Sequence, residues 1–122
     1  MLIAAVLAQA TIAQMKWERR MLVVAAPSAT DPQMAEQRRI LAGWRNERDA
    51  RDLAIVEIIG DRVTGAADAA ADIRRKYHLP TGFAAILIGK DGGEKLRSAR
   101  PFSAAVLAET IDAMPMRRAG QR

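Results

Sequence analysis

The chain contains no cysteine, a single histidine, and among its 122 residues only two tryptophans, one tyrosine and two phenylalanines. The missing thiol excludes disulfide exchange and cysteine-based peroxidase chemistry, because the thiolate is the nucleophile in both. It also removes zinc and iron–sulfur sites built on cysteine. The lone His78, next to Tyr77 and ahead of Leu79-Pro80, has no clustered carboxylates in sequence and reads as a capping or surface residue rather than a metal ligand. With so few rings, the core has to close by aliphatic packing of Ala, Val, Ile, Leu and Met. Burial then supplies the stability, at roughly 25 cal/mol per Å² of apolar surface removed from water. No apolar run approaches the ~20 residues needed to span a bilayer, so no membrane span is expected.

Charge is plentiful but mixed. The net charge of +5 and the pI near 10.4 invite a nucleic-acid reading. The distribution argues against it. Arg38, Arg39, Arg45, Arg48 and Arg51 alternate with Glu36, Glu47, Asp49 and Asp52, the pattern of a solvated helix laced with i,i+4 pairs. Only Arg74-Arg75-Lys76 and the tail Arg117, Arg118 and Arg122 form like-charge groups, and both are short.

The order of elements follows from periodicity and punctuation. Arg20 to Ala26 (RMLVVAA) is an unbroken apolar run and reads as a buried strand. Asp31 and Pro32 suit the N-cap and first position of a helix, which the pattern extends to about Arg51 with Met34, Leu41 and Trp44 inward and Ile40 beside them. Leu53 to Ile59 is a second strand, and Ala66 to Tyr77 an Ala-rich helix. Phe83 to Ile88 is a third strand, followed by Gly89-Lys90-Asp91-Gly92-Gly93, whose Asp-Gly pair signals a hairpin. Glu94 to Ser98 returns as a polar edge strand with Leu96 inward. A last helix starts at Ser103 with Val106, Leu107, Ile111 and Met114 inward, and Phe102 is placed to staple onto Leu107. The expected fold class is α/β: a four-stranded mixed sheet in the order β-α-β-α-β-β-α, with helices on both faces.

This order resembles the thioredoxin fold. Laid against it, Leu22-Val23-Val24 matches the strand leading to the active-site turn, and Thr30-Asp31-Pro32-Gln33 falls where the Cys-Gly-Pro-Cys motif would stand. Pro32 matches, and Thr30 and Gln33 replace the two thiols. Ala84 takes the position of the usual cis-proline. A closer resemblance is to a bacterial family known as DUF4174, a thioredoxin-like domain of unknown function that is also found in vertebrate extracellular proteins of the sushi-repeat and coiled-coil-domain-containing types. It is carried by Trp17-Glu18-Arg19-Arg20-Met21-Leu22-Val23-Val24-Ala25-Ala26-Pro27-Ser28, by Leu87-Ile88-Gly89-Lys90-Asp91-Gly92-Gly93-Glu94-Lys95-Leu96-Arg97-Ser98, and by Ile111 to Arg118. The likeness spans nearly all of residues 16–118. It supplies no catalytic residues and implies no cofactor.

The chain therefore divides into residues 1–15, a thioredoxin-like domain over 16–118, and a basic tail over 119–122. Leu2 to Ala8 (LIAAVLA) is either an N-terminal helix on the core or a weak signal-like segment lacking a basic n-region. The family resemblance tilts that choice toward export to the periplasm or beyond.

Two glycine-rich loops carry little chemistry. Gly60-Asp61-Arg62-Val63-Thr64-Gly65 has the glycine spacing of a phosphate loop, but Ala66 and Ala67 follow where Lys and Ser/Thr are required, which leaves a flexible strand-to-helix connection. Gly89 to Gly93 needs its glycines for turn geometry. Trp17 and Trp44 are expected to pack, although an exposed tryptophan would mark a partner surface.

The turn after the first strand is the candidate site. Ser28, Thr30 and Asp31 put two hydroxyls and a carboxylate at the carboxyl end of a strand and the start of a helix, where ligands of open α/β sheets collect. The same residues are what a helix cap requires, so capping alone fits as well. With Lys90 added, they form the expected binding set for a protein partner or a small anionic ligand. The function expected is a non-catalytic binding module. The alternative is a non-thiol enzyme acting on a small anionic substrate with Thr30, Asp31 and Lys90 as its polar set.

Overall fold

A computed structural model describes residues 9–120. The run Leu2 to Ala8, and with it the choice between helix and signal, lies outside the described residues.

Eleven elements follow one another: α1 (Ile12–Met15), β1 (Arg20–Ala26), α2 (Pro32–Ala42), α3 (Arg45–Ala50), β2 (Leu53–Ile59), β3 (Arg62–Thr64), α4 (Ala70–Lys76), β4 (Ala84–Ile88), β5 (Glu94–Ser98), α5 (Ala104–Asp112) and α6 (Pro115–Arg118). The sheet has five strands in the order β3-β2-β1-β4-β5. β1 lies at the centre, parallel to β2 and antiparallel to β4, and every one of its residues is buried.

Period two along β1 sends its side chains to opposite faces. Met21, Val23 and Ala25 join Ile12, Met15, Ile73 and Tyr77 in one core cluster, roofed by α1 and α4. Leu22, Val24 and Ala26 join Met34, Leu41, Leu107 and Ile111 in the other, roofed by α2 and α5. Both faces of the centre are dry, which is why these strands read as continuous apolar runs.

The expected elements shift in four places. A fifth strand, β3, pairs antiparallel with β2 through Glu57–Thr64, Ile58–Val63 and Ile59–Arg62. The loop with phosphate-loop spacing is thus a hairpin, not a flexible connection to a helix, and Gly60 turns it at φ 57°. The long first helix is two. Gly43 caps α2, its N–H donating to Arg39 and Leu41 carbonyls, and Trp44 leaves helical angles at φ −122°. The second expected helix begins at Ala70 rather than Ala66, because the preceding segment anchors the N-terminal residues: Asp68 Oδ1 accepts from Ile12 N at 2.8 Å, and Ala67 N donates to Ala10 O. Finally, Val106 faces solvent while Leu107, Ile111 and Met114 are buried as expected.

The hairpin between β4 and β5 forms as its Asp-Gly pair predicts. Gly89 N donates to Gly93 O, Asp91 Oδ1 accepts from Gly93 N at 2.9 Å, and Gly92 sits at φ 83°. Among the described residues, no helix is long and apolar enough to cross a membrane.

Candidate functional site

The expected site splits between the two ends of the sheet. Ser28, Thr30 and Asp31 follow the carboxyl end of β1. Asp31 Oδ1 accepts from Gln33 N at 2.8 Å and from Met34 N at 3.3 Å, so its carboxylate is engaged in capping α2. Ser28 Oγ and Thr30 Oγ1 lie 3.2 Å apart and are both exposed, with no basic side chain among the described residues bonded to either. Ala84 pairs with Ala25 nearby, and no peptide bond among the described residues is cis.

Lys90 is elsewhere. β1 and β4 are antiparallel, so the residue that follows β4 lies beside the start of β1, one strand length or roughly 20 Å from the Ser28 turn. The structure therefore does not assemble Thr30, Asp31 and Lys90 into one polar set. Lys90 is 7 % exposed, and its Nζ is 2.9 Å from Asp52 Oδ2.

That opposite end is where polar side chains and open space converge. Parallel pairing brings Asp52, just before β2, level with the start of β1, and antiparallel pairing brings Gly89 and Lys90 to the same level. A cavity of about 230 Å³ opens there, and its lining includes the charged residues Arg20, Lys90, Asp91 and Lys95 together with Trp17, Met114 and Met116.

Trp17 is unusual in two respects. It is 60 % exposed, against the expectation that it packs, and its φ is 73°. A positive φ on a bulky residue is costly and survives only where the surroundings impose it. Here its backbone N–H is held by the Lys90 carbonyl. Lys16 Nζ lies 5.6 Å from its ring centroid. Trp44, by contrast, is half-buried against the core, with the Arg51 guanidinium 5.3 Å from its ring centroid.

Arg20 is a cavity residue that the sequence pattern does not single out. Period two places it on the Leu22 and Val24 face, under Met114, at 1 % exposure. Its Nη1 donates to Arg51 O at 2.7 Å and its Nε meets Met114 Sδ at 3.2 Å, while Nη2 has no partner among the described residues. Burial above all, and then Arg117, lowers its pKa, against the opposing pull of Asp52 and Asp112. The available signal is a charged residue opening an otherwise apolar buried strand, which requires compensation.

The neighbouring charges are already paired. Arg51 grips Asp112 through two bonds of 3.0 Å and reaches Glu47 at 2.9 Å. Lys95 pairs with Asp91 at 2.9 Å. Arg20 forms no ion pair among the described residues, and there is no group of three or more metal-ligating side chains among them.

A family model described as "Domain of unknown function (DUF4174)" matches residues 11–120, nearly the whole chain.

Proposed function

Because the chain belongs to DUF4174, a family whose description assigns no activity, we propose from the geometry that it is a non-catalytic binding module on a thioredoxin-like frame, with its ligand site in the cavity at the amino end of β1. The frame reading is supported by β1 lying between parallel β2 and antiparallel β4, with β5 returning by a hairpin and the short β3 added at the far edge. On that frame the turn that would carry the thiols holds Thr30 and Gln33 instead, and its one carboxylate caps a helix.

The observation that carries the reading is the cavity itself, which joins an exposed Trp17 to a buried Arg20 with an unpartnered nitrogen. Sites for small ligands combine apolar walls with a few placed polar groups in this way. The lining carries no Ser, Thr, Cys or His, and its Lys95 is held in an ion pair with Asp91, which supports binding as its function.

A fragment screen on isotope-labelled protein tests the placement. Shift changes should cluster at the Trp17 indole and the Gly89–Asp91 amides, leaving Ser28 to Gln33 unmoved. Changes concentrated at Ser28 to Gln33 would return the site to the helix cap. Export belongs to the same proposal, and a native mass beginning at Met1 would count against it.

A further inference from the structure

We infer that the cavity takes a small organic monocarboxylate with a flat apolar body, its carboxylate received by Arg20 and its body laid between Trp17 and the methionines; the inference rests on the binding reading above and assigns its ligand class.

Charge comes first. Arg20 is buried, bonded at Nη1 and Nε to neutral acceptors, and left with an unpartnered Nη2. A buried guanidinium nitrogen without an acceptor is unfavourable, and an oxygen anion relieves it through a charge-assisted hydrogen bond. The lysines on the same wall are already matched, Lys90 by Asp52 and Lys95 by Asp91. Of the cations that line the cavity, Arg20 is thus the one that no carboxylate among the described residues pairs with, which suits one negative charge rather than two.

The apolar wall selects the rest. Met114 and Met116 give soft, adaptable surface, and thioethers pack well at ring edges. The Trp17 indole, most of it outside the core, offers a face for a planar group. Inorganic phosphate would gain the charge but would lose its hydration against these walls. At about 230 Å³ the space falls below the roughly 300–1,000 Å³ of sites for drug-sized molecules, so the ligand is small.

The experiment compares phenylacetate, phenylacetamide and inorganic phosphate by calorimetry on the full chain. The Trp44→Phe variant, in which Trp17 is the one remaining tryptophan, reports the location by fluorescence. Phenylacetate should bind at least tenfold tighter than either of the other two and should shift Trp17 emission. Arg20→Met should weaken phenylacetate at least tenfold and leave phenylacetamide unchanged. Trp17→Ala, a change at an exposed side chain, should weaken both organic probes, and it keeps the test open should Arg20→Met fail to fold. Equal affinity for phenylacetate and phenylacetamide, with Trp17 emission still responding, overturns the carboxylate assignment and leaves the cavity as a binding site. Phosphate binding as tightly as phenylacetate overturns the apolar half. No response of Trp17 to either organic probe overturns both this inference and the cavity as the site.

Discussion

The side-chain amide of Gln37 brackets the backbone of Phe102: Nε2 donates to Phe102 O at 3.1 Å, and Oε1 accepts from Phe102 N at 2.7 Å. Gln37 is fully buried on the inner face of α2, and this pair of bonds ties that helix to the segment leading into α5. An amide satisfies one donor and one acceptor of the same residue at once, which a carboxylate or an aliphatic side chain cannot do.

Gln37→Leu should therefore destabilise the fold by about 2–3 kcal/mol, since it leaves two buried backbone groups unsatisfied. Urea unfolding should show a lower midpoint with an unchanged slope. A loss below about 0.5 kcal/mol would mean that water takes over both bonds.

Asp31→Ala should cost about 1 kcal/mol, the value of a helix cap, because Asp31 serves two N–H groups at the start of α2. Calorimetric affinity for phenylacetate should stay the same. A change in binding without a change in melting temperature would place a ligand at this turn.

Acid should weaken the protein partly through Asp112. Its bond to Arg51 above all, and then its contact with Arg117, holds this carboxyl below its ordinary value of 3.8. A depressed carboxyl pKa gives stability that is fully present above the unfolded value and is lost as pH falls through the folded one. The loss from this group thus begins near pH 4 and continues below it. Asp112→Asn should lower stability at pH 7 by about 1 kcal/mol, a modest figure because Asp112 is half exposed and screened. It should also flatten the stability–pH curve below pH 4. Asp91 and Glu94, depressed by Lys95 and Arg97 respectively, account for further slope in the same window.

Gly65 and Gly82 should respond oppositely to alanine. A Cβ at Gly65 would stand 2.1 Å from the Ile55 carbonyl oxygen, at φ 90°, while one at Gly82 meets nothing within 4 Å. Gly65→Ala should cost about 3 kcal/mol through strain and backbone displacement. Gly82→Ala should be neutral to within about 0.5 kcal/mol. Paired thermal melts decide it.

The parts of this protein legible in its sequence are those governed by local physics. Apolar runs mark β1, β2 and β4, the Asp-Gly pair marks the hairpin into β5, and Asp31-Pro32 marks the start of α2. Each signal is complete within a few residues, because backbone geometry and capping are short-range. The break at Gly43 and the late start of α4 are less legible. Trp44 turns out of the helix to lie against the Arg51 guanidinium, and the segment before Ala70 is held by its bonds to Ala10 and Ile12. Those partners are distant in sequence or weak in local pattern.

Composition alone determined that the chain carries no thiol, and the capping residues of the β1–α2 turn are set by the local sequence Asp31-Pro32. Which end of the sheet holds open space was decided only by tertiary structure. Strand direction is a property of pairing, and a parallel β2 with an antiparallel β4 brings Trp17, Arg20, Asp52 and Lys90 together while carrying Lys90 away from Asp31. The sequence contains all of these side chains, but the sign of each strand pairing, set by packing on both faces of the sheet, is what makes them neighbours or strangers.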